Sequence, residues 1–156
     1  MKDYDYSQAG AYFVTICTQG RECLLGEVID ASISLSQYGI VVEQIWHQIP
    51  QHFSSVALDA AVIMPNHFHG IIVISEESFL VQQESQDLAP NKNSKKPTLG
   101  QIVAYFKYQS TKLINVARDL SGVKFWQRNY YEHIIRSEAS LAQLRIYIEQ
   151  NSRITS

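Results

Sequence analysis

His67-Phe68-His69, within MPNHFHGIIVI, sets two imidazoles on either side of one apolar residue at one end of a β-like run. On a strand, residues i and i+2 project from the same face, roughly 7 Å apart at Cα, so both rings can turn a nitrogen toward one divalent ion. The pair also fits two partly exposed polar residues at a strand end, and the spacing alone does not choose. A second pair, Tyr147 and Asn151 in YIEQN, is four residues apart and shares a face if the segment is helical. A phenol beside an amide suits a nucleophile next to a metal ligand. It equally suits a half-buried tyrosine followed by a helix-terminal asparagine.

The elements that must position these groups are legible from patterning. AYFVTICT (11–18) is β-branched and aromatic and reads as a strand. RECLLGEVID reads as a turn or short hairpin segment, punctuated by Gly20 and Gly26. Ser36 to Ile49 carries Ile40, Val41, Ile45 and Ile49 at near-helical spacing, with Pro50 expected to end the helix. SSVALDAAVIM and HFHGIIVI follow as two strands divided by the Pro65-Asn66 turn. In the second, His67, His69, Ile71 and Val73 share one face, and the other face is also apolar, which predicts a central strand. Gly70 would leave room there for close approach of a backbone or substrate.

Residues 75–97 are polar and aperiodic, and they read as a flexible surface excursion. Thr98 then caps a helix through LGQIVAYFKYQSTKLINVARDL, with Ile102, Phe106, Gln109 and Leu113 along one side and Gly122 ending the region. VKFWQRNYYEHIIR reads as strand. Ser137 caps a last helix bearing Tyr147, flanked by Leu141, Leu144, Ile146 and Ile148. The order strand–helix–strand–strand–helix–strand–helix predicts an α+β, ferredoxin-like fold: a four-stranded antiparallel sheet, helices on one face and a C-terminal tyrosine-bearing helix. The other sheet face would be open to single-stranded nucleic acid or a partner.

At 156 residues the chain suits a single domain over its full length. No apolar run approaches the ~20 residues of a membrane helix and no leader-like start is present, so a cytoplasmic protein is expected. Cys17 and Cys23 make neither a Cys-x-x-Cys motif nor a disulfide framework, and thiol catalysis is not expected. The net charge of −2 conceals an asymmetry: residues 1–91 hold two basic and eleven acidic side chains, residues 92–156 eleven basic and four acidic. A basic half suits phosphate contact, as it also suits complementary charged faces in a dimer. Lys107, Lys112, Lys124 and Arg128 are candidate phosphate contacts, and Trp126, Tyr130 and Tyr131 candidate stacking residues. The same aromatics would serve a core equally well, and the lysines a solvated helix face. His47, His52 and His133 lack matched spacing and read as structural or exposed.

Taken in order, YDYSQAGAYFVTICTQGRE, LGEVID, MPNHFHGIIVI, the helix with FKYQST, and FWQRNYYEHIIRSEASLAQLRIYIEQN resemble the single-tyrosine HUH transposases, most closely the REP-associated tyrosine transposase branch. The resemblance spans nearly the whole chain apart from 75–97. It implies that His67 and His69 bind a divalent metal, Mg2+ or Mn2+, that Tyr147 is the nucleophile and that Asn151 is a polar third ligand. It further implies a homodimer that cleaves and rejoins single-stranded DNA near hairpins through a 5′-phosphotyrosine intermediate, with no membrane partner. Two departures stand out. Only MKDYDYSQAG precedes the first strand, where relatives often carry a basic stretch, and Asn151 is followed by Ser152 where relatives commonly have proline and a longer tail. Two other readings stay open: a non-catalytic single-stranded nucleic-acid-binding module of the same fold, and a metal-dependent phosphodiesterase that uses water.

Overall fold

The computed structural model describes residues 10–75 and 97–152; the excursion expected at 75–97 lies almost wholly outside them. β1 (Gly10–Cys17) pairs antiparallel with β5 (His67–Ile74) on one side and β6 (Tyr131–Ile135) on the other. β4 (Val56–Met64) pairs with β5, giving the antiparallel order β4-β5-β1-β6 and the ferredoxin-like topology expected from the sequence. β1 and β5 are the inner strands, and they are apolar on both faces because helices pack against each face.

Alternation divides these strands between two cores. Tyr12, Val14, Ile16, Phe68, Ile72 and Ile74 face α1 (Gln37–His52) and α2 (Leu99–Ala117) in the larger core. Phe13, Ile71, Ile135, Val62 and Met64 face α3 (Glu138–Asn151) through Ile148. The face expected to stay open is therefore partly covered by the tyrosine helix. β4 contributes to both cores because its register slips by one residue between Leu58 and Ala61. One extra residue inverts the alternation, so Val56 joins the larger core while Val62 and Met64 pair with His69 and His67.

The hairpin reading of RECLLGEVID holds, with Gly26–Ile29 (β2) pairing to Ser32–Leu35 (β3), a strand not expected from the sequence. Other local details differ from the sequence reading. α1 is capped by Ser36, which accepts from the Tyr38 and Gly39 amides, and it continues through Pro50 to His52. A proline in the last turn forfeits one hydrogen bond, and the following turn persists through Phe53 N–H donating to the Ile49 carbonyl. α2 has the predicted Thr98 cap, completed by Gln101, but it buries Ile102, Phe106, Ser110 and Ile114, leaving Leu113 42 % exposed. It ends at Ala117, well before Gly122. Of VKFWQRNYYEHIIR only Tyr131–Ile135 is strand; the preceding stretch inserts Phe125 and Trp126 into the core as irregular chain. No helix among the described residues is long and apolar enough to cross a membrane.

Candidate functional site

His67 and His69 open β5 on the sheet face that also carries Phe13 and Ile71, and their ring centroids are 4.7 Å apart. Antiparallel pairing sets Cys17 opposite His67 and Thr15 opposite His69. Thr15 Oγ1 lies 2.8 Å from His69 Nδ1, and Asn66 Oδ1 lies 2.8 Å from His67 Nδ1. The Asn66 amide is oriented by its own donation to the Arg21 carbonyl at 3.2 Å, so His67 Nδ1–H donates to Asn66 and Nε2 is left with its lone pair. Burial, then the positive charge of Arg21, lowers the His67 pKa. Burial, then the neighbouring His67, pushes His69 down to about 4. Both rings are thus neutral near pH 7, the form that ligates metal.

Tyr147 stands on the same side. Its ring is edge-on to His69 with centroids 5.4 Å apart and edge-on to Phe13 at 6.2 Å, yet the side chain is 47 % exposed. Its helix is lightly seated: Ile148 is its buried residue, Leu141 and Leu144 are half-buried, and Ile146, expected as a packing residue, is 52 % exposed. A bidentate contact adds to this, Arg145 Nε and Nη2 donating to Asp59 Oδ1 and Oδ2 at 2.9 and 2.7 Å. Asp59 sits in the β4 irregularity, so the register slip that splits the cores also anchors the tyrosine helix. Asn151 turns its amide back, Nδ2 donating to the Tyr147 carbonyl at 2.8 Å, which leaves Oδ1 as its open acceptor.

Among the described residues no group of three or more His, Cys, Asp or Glu gathers as a metal site. Two neutral imidazoles with oriented Nδ1 atoms nevertheless fit part of a divalent coordination sphere. The Asn151 amide, water and a phosphate oxygen are of the hard-oxygen type that Mg2+ and Mn2+ take for the remainder.

The candidate DNA contacts separate. Trp126 is 3 % exposed, with Nε1 donating to Ser110 Oγ at 2.9 Å; it is a core residue with no open face for a base. Lys107 is half-buried and its ammonium donates to the Gln127 and Arg128 carbonyls at 2.8 and 2.9 Å, which binds the 125–128 segment to α2. Burial and nearby Lys124 lower its pKa. It also lies over the Tyr130 ring, 5.5 Å from the centroid, which places Tyr130 against α2 rather than beside the histidines. Lys112, Lys124 and Arg128 are exposed. Tyr131 packs edge-on against Phe13 at 6.4 Å. His47, His52 and His133 are exposed, with His52 stacked on Tyr105. Gly70 opens no space: a Cβ there would lie 2.7 Å from the Trp46 ring, so the glycine admits an indole and not a substrate. Thr15 and Asn66 join the site without having been expected there. The signal for Thr15 is the strand register, which one chain does not print; that for Asn66 is its place directly before the first histidine.

The four-stranded ferredoxin-like sheet thus carries a paired-histidine strand with a tyrosine helix laid over it. The fold is shared with the structure of a REP-associated tyrosine transposase bound to a REP hairpin: TM-score 0.60, 19% identity, covering 97% of this chain and 72% of that one. It is shared too with the crystal structure of a candidate transposase from Deinococcus radiodurans R1, at TM-score 0.54 and 17% identity over 98% of each chain. The resemblance read from the motifs therefore holds for the fold. No protein-family model matches the chain. By sequence it belongs to one family with an "Uncharacterized protein" of Haemophilus influenzae (strain ATCC 51907 / DSM 11121 / KW20 / Rd), at 42% identity over 97% of this chain and 84% of the relative.

Proposed function

We propose that this protein is a transposase that cleaves and rejoins single-stranded DNA with Tyr147 as nucleophile. The observation that carries the reading is an exposed phenol held beside His69 of its own chain. His67 and His69, with Asn151 Oδ1, would hold Mg2+ or Mn2+. That ion would polarise the scissile phosphate and offset charge in the transition state. The chain's own residues do the rest. Asn66 and Thr15 fix the two imidazoles, and Tyr147, nearly half exposed, is accessible to DNA. Attack forms the Tyr147 Oη–phosphorus bond and breaks the bond to the 3′ oxygen, which departs as a 3′-hydroxyl with one proton gained while the phenol loses one. The 5′-phosphotyrosine retains the phosphodiester's energy, so a later 3′-hydroxyl can reverse the step and join strands.

Hairpin-bearing DNA is the proposed substrate, supported by the hairpin in the REP-associated transposase of like fold. Exposed Lys112, Lys124 and Arg128 are the proposed phosphate contacts. The proximity of Tyr147 to its own chain's His69 supports cleavage within one subunit; the homodimer is proposed from the family resemblance, and the cytoplasmic location from the sequence. The test incubates wild type and Tyr147→Phe with a pool of hairpin oligonucleotides and Mn2+, then resolves denaturation-resistant protein–DNA adducts. An adduct in wild type alone supports the reading. Equal adducts overturn the nucleophile; binding without cutting favours a binding module, and metal-dependent cutting without an adduct favours a water-using phosphodiesterase.

A further inference from the structure

The turn after β1 holds a cation that the proposed chemistry has not used. Gly20 and Arg21 are consecutive residues in left-handed backbone, at φ 67° and 55°. Glycine adopts that conformation freely, whereas arginine does so at a cost and keeps it only where the surroundings over-determine it. Here they do. The Arg21 amide donates to the Thr18 carbonyl at 3.0 Å, and the Arg21 carbonyl accepts from the Asn66 side chain that also holds His67. One amide thus couples the arginine turn to the first histidine. Beyond that turn the guanidinium extends toward Cys17, Nη1 lying 3.8 Å from Sγ, and Cys17 is the cross-strand partner of His67. Among the described residues no carboxylate is paired with Arg21.

A planar donor fork with no anion, tied through one side chain to a paired-imidazole site, suits bidentate contact with a phosphate. We propose that Arg21 is a phosphate-binding residue of this site, taking the non-bridging oxygens of the DNA phosphate presented to His67 and His69. This rests on the transposase reading for its substrate, and it adds a phosphate-gripping residue that the paired histidines do not supply.

Cys17 offers a local reporter. With Cys23→Ser it becomes the chain's single thiol, and with Tyr147→Phe the DNA stays uncut. The experiment measures iodoacetamide alkylation of this protein in Mg2+, with and without a hairpin oligonucleotide carrying single-stranded flanks. DNA is expected to slow alkylation of Cys17 several-fold, and Arg21→Asn to abolish that protection. Asparagine tolerates left-handed backbone, so the variant keeps the turn; an unchanged melting curve checks this. The slope of log affinity against log salt should also fall by ~0.7, the value for one single-strand phosphate contact. In chains that retain Tyr147, Arg21→Asn should slow adduct formation about 10²-fold, as removal of one transition-state donor does, with Arg21→Lys intermediate. Equal protection with and without the guanidinium overturns the proposal. If no oligonucleotide gives an adduct but Arg21-dependent protection persists, the phosphate contact stands and the catalytic reading falls. If adducts form at the same rate in Arg21→Asn, the reverse holds.

Discussion

The Tyr147 ring lies edge-on to the His69 imidazole, centroids 5.4 Å apart, within a single chain. A second edge contact, to Phe13 at 6.2 Å, is likewise made by the ring. Tyr147→Phe preserves both. Its unfolding free energy in urea should therefore stay within ~0.5 kcal/mol of wild type, as for an exposed substitution, while the covalent DNA adduct disappears. A large loss of stability would show that the phenol is a structural group.

Thr15 holds His69, a residue only 5 % exposed, by a 2.8 Å hydrogen bond to its ring. Thr15→Val keeps the side-chain shape but strands a buried nitrogen, so stability should fall by about 1–3 kcal/mol. The orientation of the imidazole is lost as well, and Mn2+ affinity measured by calorimetry should weaken about 10–100-fold. Unchanged affinity would remove His69 from the proposed metal site.

Arg145 and Asp59 anchor the tyrosine helix to the sheet edge. Arg145→Ala should raise hydrogen exchange in residues 141–151 with little change in β1 and β5, and should slow adduct formation. The pair also sets a pH dependence. Arg145's hydrogen bonds, foremost, hold the Asp59 carboxyl below its usual range; partial burial opposes this, and the Ala60 amide and the Arg145 charge reinforce it. A depressed carboxylate contributes fully above the ordinary value of about 3.9 and is lost as pH falls through the lowered one. Protection of the helix should hold from neutral pH to about 4 and decline below it, and Arg145→Ala should remove that decline.

Trp126 and the exposed cations near it should behave oppositely. Trp126→Phe removes the indole donor to Ser110 Oγ and should cost about 1–3 kcal/mol of stability, with oligonucleotide affinity unchanged. Lys124→Ala with Arg128→Ala should leave stability alone and reduce the salt slope of single-strand binding by ~0.7 for each phosphate the side chain no longer neutralises. A Trp126 variant that folds normally but fails to bind DNA would return the indole to the nucleic-acid surface.

Much was legible before folding because periodicity and capping are local. The strand of His67 and His69, the helix behind Thr98, the Ser137 cap and the central position of the histidine strand all follow from residues within a few positions of one another. Other features depend on partners distant in the chain. Pro50 passes inside its helix because packing of Ile45, Trp46 and Ile49 outweighs one missing hydrogen bond. Trp126 enters the core from irregular chain because Ser110 offers an acceptor there. Gly70 serves Trp46 from a helix more than twenty positions earlier.

By itself the sequence determined which groups are available: two imidazoles on one strand face, a phenol with an amide one helical turn on, and a basic second half. Side-chain type and alternation are properties of the chain and need no fold. Tertiary structure alone decided that the tyrosine helix covers the histidine face, that a one-residue slip in β4 presents Asp59 to anchor it, and that Thr15 and the Arg21 turn are brought to the histidine strand. Those outcomes depend on strand register and on groups 45 to 86 positions apart, and separations of that size become contacts only when the sheet closes.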